Sequence, residues 1–479
     1  MWVYVMGIIG RNKELDTLQK IYEQSGFQMV VMYGRRRIGK TTLLNEFVKK
    51  KRNIFFTATR SLDDTNLSEL TQAVMIDQGV NGVAISFDNY MDAFHYITTI
   101  TNDEKLVVVI DEYPYLIETV SGISSILQIV IDREWLNRNI MLILCGSSIS
   151  MMEDEVLSAK SPLFGRRTAQ MDIRPFDYYV SAEFVPDYSP EDKAISYGIT
   201  GGIPKYLSMI DPEKSMDQNI EDLFFDDSGY FFEEPENMLQ QEFRNVASYN
   251  TLLATIAGGA VTISEMSQKT HLDSSRVTQM IHSLIRIRLV RRDVPVPDSG
   301  NKRDIRYMLC DGMFRFWYRY VSKAVNYIER GNGADYYRHI VKPVIHDYMG
   351  LEFEKISQEY MWRHALEISD ELFITDIGKW RGTDNEKKEP ADIDVVCIDS
   401  SSRKCMIGEC KFRNEKTGRS EFELLKDRAR LVRPYEVKKY FLFSLSGFTD
   451  EIEKETDAVC VVTVHTSCRQ GKADSVDSD

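Results

Sequence analysis

Cysteine is scarce in this chain and follows no pattern. The seven cysteines among 479 residues (Cys145, Cys310, Cys397, Cys405, Cys410, Cys460 and Cys468) are odd in number and include no C-x-x-C pair. That argues against a disulfide framework and against a zinc site, and leaves reduced, mostly buried thiols as the expectation. Apolar runs long enough to cross a bilayer, about 20 residues, are missing as well. The opening MWVYVMGIIG is apolar but short and has no basic start. It reads as a first strand or an overlong translation start and not as a signal peptide, so a cytoplasmic location is expected. Positive charge is also in deficit. A formal net charge of -14 opposes long-range attraction to nucleic acid, although a local basic face can still bind it.

What is present is the composition of a globular protein, 43% hydrophobic and 28% charged, in a chain long enough for about three domains. Its most informative stretch runs from Val30 to Leu44, VVMYGRRRIGKTTLL. An apolar run leads into Gly34, Arg35, Arg36, Arg37, Ile38, Gly39, Lys40 and Thr41, which satisfy G-x-x-x-x-G-K-[ST], and Thr42 continues into a helix-forming segment. Glycines at both ends let successive amides turn inward on a phosphate, and the helix that follows adds its positive N-terminal end. Lys40 would reach the outer phosphates of ATP and Thr41 would ligate Mg2+.

A second run, Leu106 to Ile110, is apolar throughout, as suits a central strand buried on both faces, and it ends in Asp111 and Glu112. Asp111 would hold Mg2+, and Glu112 would orient and deprotonate the attacking water. The next apolar run, Ile140 to Cys145, carries Ser147 and Ser148 just past its C-terminal end, where ligands of parallel sheets gather. Arg166 and Arg167 sit on a loop after Pro162. Either would touch the outer phosphate in cis or reach a neighbouring subunit as an arginine finger. Together these segments predict an α/β fold with a parallel-sheet P-loop NTPase domain.

In order, IGRNKEL, GRRRIGKTTLL, VVVIDEYPYL, LCGSS, PLFGRR and GGIPKYL resemble the archaeal-type ATPase family, which is related to AAA+ proteins and STAND switches. The resemblance covers nearly the whole chain. It implies an AAA-type ATPase domain over residues 1–200 and a helical lid over 201–248, with Ser147 or Ser148 where an asparagine sensor is usual. It also leaves room for nucleotide-dependent homo-oligomers.

From Tyr249 to Tyr307 the pattern changes to short amphipathic helices. Thr262 or Ser264 starts one, His271-Leu272 breaks it, Asp273 opens another, and Leu289–Arg292 and Asp304–Tyr307 follow as a two-stranded wing. This predicts a winged helix-turn-helix over 249–325, with Ser274, Ser275, Arg276, Thr278 and Gln279 as candidate DNA contacts and Arg291, Arg292, Lys302 and Arg303 on the wing. The other reading is a winged helix used only for packing between domains. Aromatics interleaved with arginines in DGMFRFWYRY either stack on bases or pack as a helix, the latter being the better fit to their spacing.

Beyond residue 326, a helix opens near Glu354, Ala391–Ile398 alternates as a strand, and Met406–Phe412 returns after a turn. Alternation places Asp392 with Asp394 and Glu409 with Lys411, and a hairpin brings the two pairs together. An acid followed by E-x-K on the adjacent strand resembles the PD-(D/E)xK restriction-endonuclease-like superfamily. That likeness implies Mg2+ held by Asp394 and Glu409, Glu354 as the helical acid, and Lys411 at the attacking water. No proline directly precedes Asp394. The plainer alternative is a charged edge hairpin. Basic residues from Lys411 to Lys439 would suit a phosphate backbone. This domain is expected over 326–466, with a disordered tail over 467–479.

Overall fold

The computed structural model describes residues 8–79, 86–297, 300, 305–368, 372–455 and 460–463. Expectations placed on Met1–Gly7, on Lys302, Arg303 and Asp304, on Cys468 and on the tail beyond Ser467 lie outside the described residues. The chain divides into two compact units. One comprises residues 1–175 with Ile203–Lys205, the other residues 176–202 and everything from Tyr206 onward.

The first unit is built on a five-stranded parallel sheet in the order β2-β3-β4-β1-β5. Its strands are β1 (Gln28–Tyr33), β2 (Asn53–Thr57), β3 (Leu106–Asp111), β4 (Ile140–Gly146) and β5 (Ala169–Asp172). Every residue of β1, β3 and β4 is buried, which is why these three read as unbroken apolar runs and not as alternating ones. Because β4 lies between β1 and β3, whatever follows Gly146 sits between the loop after β1 and the acidic pair at the end of β3. The core on one side of the sheet includes Phe56, Phe94, Tyr113, Leu127 and Trp135. Among the described residues no single helix is long and apolar enough to cross a membrane.

The second unit holds several short helices, a two-stranded sheet and a larger sheet. Helices Val246–Ala257, Ile263–Thr270 and Ser274–Arg286 are followed by β6 (Val290–Asp293) and β7 (Arg306–Leu309), paired antiparallel with Val290 opposite Leu309. Thr262 caps the second helix: its hydroxyl accepts from Glu265 N, while the Glu265 carboxylate accepts from Thr262 N. Caps of this kind contribute about 1 kcal/mol. His271 then takes a left-handed conformation, φ 56°, that turns the chain toward Asp273. The aromatics of the following segment are core: Phe314 and Phe316 have no exposure and Tyr318 and Tyr320 are nearly as buried. The segment therefore packs, and the base-stacking alternative fails for lack of exposed ring faces.

The larger sheet has the order β12-β11-β10-β9-β8, from β8 (Asp376–Asp384), β9 (Glu389–Asp399), β10 (Lys404–Lys411), β11 (Glu436–Ser444) and β12 (Cys460–Thr463). Strands β8, β9 and β10 pair antiparallel, whereas β10 with β11 and β11 with β12 are parallel. The helix Arg419–Arg428 provides the crossover between the parallel pair β10 and β11, and Phe422 and Leu425 on it pack against Ile393, Val396, Ile407 and Leu442. The helix Ile345–Arg363, which bears Glu354, precedes β8. In the register of β8 with β9, Gly378 faces Val396 and Trp380 faces Ile393, so Asp394 and Val395 together oppose the single residue Lys379, a β-bulge.

Candidate functional site

The loop after β1 is shaped by backbone that only certain residues tolerate. A Cβ added at Gly34 would lie 2.4 Å from the Ile173 carbonyl oxygen, and Gly39, at φ 85°, immediately precedes the helix Lys40–Val48. Leu43, Leu44, Phe47 and Val48 bury the inner face of that helix and so fix the direction of its N-terminus. Lys40 is buried, and its ammonium donates to the carbonyls of Gly34 at 2.8 Å and Arg35 at 3.1 Å. The charge is thereby held inside the loop whose amides surround it. Arg36 reaches out to the Tyr115 hydroxyl at 2.9 Å, and Arg37 takes φ 68°. Ile38 is fully buried beneath the loop, and Thr42 is exposed beyond it.

The acidic pair meets this loop from β3. Thr41 Oγ1 donates to Asp111 Oδ2 at 2.7 Å, with the Asp111 side chain buried. A hydroxyl and a carboxylate in contact at the mouth of an amide-lined loop are the hard oxygen donors that Mg2+ takes alongside phosphate, so these residues fit the ion. Glu112 takes φ 54°, its N–H donating to Asp111 Oδ1 at 3.0 Å. Its Oε2 accepts from both the amide (3.2 Å) and the hydroxyl (2.7 Å) of Ser147. Of the two serines considered for the sensing position, Ser147 is thus the one at the acid, while the Ser148 hydroxyl turns to Ser150.

In the second unit the acids expected to hold Mg2+ gather around a lysine. Lys379 Nζ lies 2.9 Å from Glu354 Oε1, 3.1 Å from Asp392 Oδ2 and 3.2 Å from Asp394 Oδ1. Asp394 Oδ2 accepts from Cys410 N at 3.0 Å. Glu409 Oε1 is bound by Lys411 at 2.6 Å, and its Oε2 has Arg428 at 3.5 Å. Burial and the neighbouring Asp394 push Glu354 up to about 8. Burial, then Asp394, likewise raise Glu409. For Lys379 burial works toward neutrality, but Asp394 and Glu354 outweigh it and hold the ammonium charged. Among the described residues no group of three His, Cys, Asp or Glu side chains is arranged to hold a metal ion. The expected ligands Glu354, Asp394 and Glu409 are brought near one another, but with a lysine where a divalent ion was expected. The residues as arranged do not fit that ion.

Several known proteins are similar to parts of this chain. Residues 8–210 match a family described as an ATPase domain predominantly from Archaea, and residues 317–422 match one described as archaeal and bacterial proteins of unknown function. An uncharacterized protein of Methanocaldococcus jannaschii is 27% identical over 439 residues, 90% of this chain and 94% of its own. An uncharacterized ATP-binding protein of the same organism is 31% identical over 48 residues, 10% of this chain and 81% of its own. The Walker-type ATPase of Pyrococcus abyssi shares the fold, with 19% identity and a TM-score of 0.51 over 65% of this chain and 96% of that one. The chain belongs to a P-loop ATPase family.

Two further features of this ATPase were not read from the sequence. Arg11, in the IGRNKEL segment, is buried and donates to Ile38 O at 3.0 Å and to Arg174 O at 2.8 Å, and pairs with Glu14. It braces the phosphate loop from below, and burial lowers its guanidinium despite Glu14. Pro204 stands 3.9 Å from where a Cβ on Gly39 would be, and Lys205 N donates to Arg37 O at 3.3 Å. Pro204 and Lys205 therefore touch the loop, a long-range contact that no local pattern announces.

The two loop arginines are corrected by topology. Thr168 N donates to Met29 O, and its hydroxyl accepts from Met29 N, which puts Arg166 and Arg167 at the start of β1. The phosphate loop follows the end of that strand, about 13 Å away at the rise of an extended chain. Asp132 moreover holds Arg166 through both oxygens, at 2.7 and 2.6 Å. Contact with the outer phosphate in cis is excluded on these grounds. Of the basic run after β10, Arg413, Arg419, Lys426, Arg428, Arg430 and Lys438 each meet an acid of their own domain.

Ser147 gives the first expected outcome. With its hydroxyl removed in Ser147→Ala, Glu112 keeps only the longer bond to the amide, and its carboxylate is less well placed for the water. ATP turnover should fall about 3- to 10-fold with nucleotide affinity unchanged, as expected for the loss of about 1 kcal/mol of positioning. A steady-state assay with a separate binding titration checks this, and an equal change in both quantities would contradict it.

Proposed function

We propose that the chain is an ATP-binding, ATP-hydrolysing switch whose output is exerted on DNA through its helix-turn-helix and its C-terminal sheet. The observation that carries the first half is the contact chain Thr41–Asp111 with Glu112 held by Ser147. Bound ATP with Mg2+ supplies an electrophilic outer phosphorus. Lys40 would exchange the Gly34 and Arg35 carbonyls for oxygens of the outer phosphates, and Thr41 and Asp111 would hold the ion. Glu112, fixed through Oε2 by Ser147, has Oε1 left to accept the proton of the attacking water. Self-association on binding ATP accords with this reading, and light scattering with and without ATP tests it.

For the DNA half, the support is an exposed helix start. Ser274, Ser275, Arg276 and Gln279 are exposed at the beginning of Ser274–Arg286, and Arg291 and Arg292 are exposed on β6. Thr278 instead returns its hydroxyl to Ser274 O, which makes it the weakest of the candidate contacts. Read as a winged helix, this surface offers phosphate contacts on an otherwise acidic chain. Arg276→Ala should weaken duplex binding about tenfold at low salt and reduce the slope of log affinity against log salt by about 1. Unaltered binding would leave the module as a packing element between domains.

A Mg2+-dependent nuclease, with Asp394, Glu409 and Glu354 as ligands and Lys411 at the water, competes with a regulator that holds DNA or protein without cutting. The lysine among those acids favours the second. Plasmid incubated with Mg2+, with and without ATP, should remain uncut, and nicking abolished by Glu409→Ala would reverse the preference.

A further inference from the structure

We propose that Lys379 is the resident cation of the C-terminal acidic centre, standing where the divalent ion of a nuclease-like site would stand and excluding it. A bulge sets Asp394 and Val395 of β9 against Lys379 alone on β8, and bulges re-aim the side chains beside them. The Lys379 carbonyl accepts from Val296 N at 2.9 Å, which pins the strand at that residue. From there the ammonium reaches carboxylates on two separate elements, Glu354 on the helix and Asp392 and Asp394 on β9.

The distances are those of a hydrogen-bonded ammonium. Three oxygens stand 2.9 to 3.2 Å from Nζ, the separation of charge-assisted hydrogen bonds, whereas Mg2+ draws its oxygens to about 2.0–2.1 Å. The fourth acid, Glu409, is already engaged by Lys411 and Arg428. Four carboxyl groups facing three fixed cations, with Glu354 raised by burial, leave little or no net negative charge. A divalent ion added beside an immobile ammonium would meet repulsion in a half-buried setting, where charge interactions are strong. The centre is therefore a closed ion-pair cluster tying the helix to the sheet, and metal entry requires the lysine to leave.

The inference rests on the nuclease-like reading only in naming the ion that would compete. Its test uses neither nucleotide nor DNA, so it can fail while the ATP switch stands. Full-length nucleotide-free protein is titrated with Mn2+, the free ion being read by electron paramagnetic resonance. Asp394→Asn in the otherwise unaltered protein should leave Mn2+ binding unchanged, because that carboxylate holds no ion. Lys379→Met should create one site at least tenfold tighter than anything in the wild type, Lys379→Arg should create none, and adding Asp394→Asn to Lys379→Met should abolish the new site. Loss of a Mn2+ site on Asp394→Asn alone would overturn the proposal. So would a folded Lys379→Met that binds no more ion than the wild type, folding being judged by circular dichroism and the melting transition.

Discussion

Glu112→Gln is expected to lower ATP turnover at least a hundredfold while leaving ATP affinity within about threefold of the wild type. The amide keeps the shape of the side chain, and its carbonyl oxygen still accepts from the amide and hydroxyl of Ser147, which hold Oε2 in the native chain. What it loses is the carboxylate lone pair that takes the proton of water, a loss worth about 10²- to 10⁴-fold in general-base catalysis. Thr41, Asp111 and Lys40 are untouched, so the groups assigned to nucleotide and ion remain. Single-turnover measurement with radiolabelled ATP, beside a fluorescent-nucleotide titration, separates the two quantities. Turnover within a few-fold of the wild type would mean that Glu112 is not the base, and the left-handed turn that presents it would need another explanation.

Lys40→Ala is expected to act on the other quantity. The ammonium is buried and bonded to two carbonyls of its own loop, so it is placed to exchange them for phosphate oxygens without leaving its position. Hydrogen bonds to a charged group are worth about 1.5–3 kcal/mol each, and removing the donor should weaken ATP binding about a hundredfold or more. Thermal unfolding reads this directly. A ligand at 100 times its dissociation constant stabilises the folded state by about 2.7 kcal/mol. The wild type should therefore melt at a higher temperature in millimolar MgATP, whereas the variant should show little or no shift at the same concentration. The variant without nucleotide is expected to melt somewhat below the wild type, because the Gly34 and Arg35 carbonyls are buried and lose their donor. A full ligand-induced shift in Lys40→Ala would remove Lys40 from the phosphate site.

The parts of the fold that were legible share a physical cause. Strands β1, β3 and β4 are buried on both faces, and such strands must be apolar throughout, so they stand out of the sequence without any alignment. Gly34 and Gly39 are legible because a Cβ at the first would lie 2.4 Å from Ile173 O and the second turns left-handed, conditions that other residues rarely meet. The hairpin of β9 and β10 was legible from alternation and from the turn at Asp399–Arg403, where Arg403 takes φ 54°. Arg11 was not, because an arginine before a helix is usually a solvated residue. Its role exists only once Ile38 and Arg174 have been brought to it.

The sequence by itself determined the glycine-bounded loop after β1, the acid pair that ends β3 and the order of the elements along the chain, since each depends on residues adjacent in sequence or on a local period. Tertiary structure alone decided which residues face one another. It put Ser147 on Glu112 because β4 is inserted between β1 and β3. It took Arg166 and Arg167 to the far end of the sheet because β5 runs parallel to β1. It also set Lys379, an unremarked residue in IGKWRG, among Glu354, Asp392 and Asp394. A bulge that re-aims one side chain changes the register by one residue and leaves no trace in hydropathy. On that single residue turns whether these acids surround a metal ion or an ammonium.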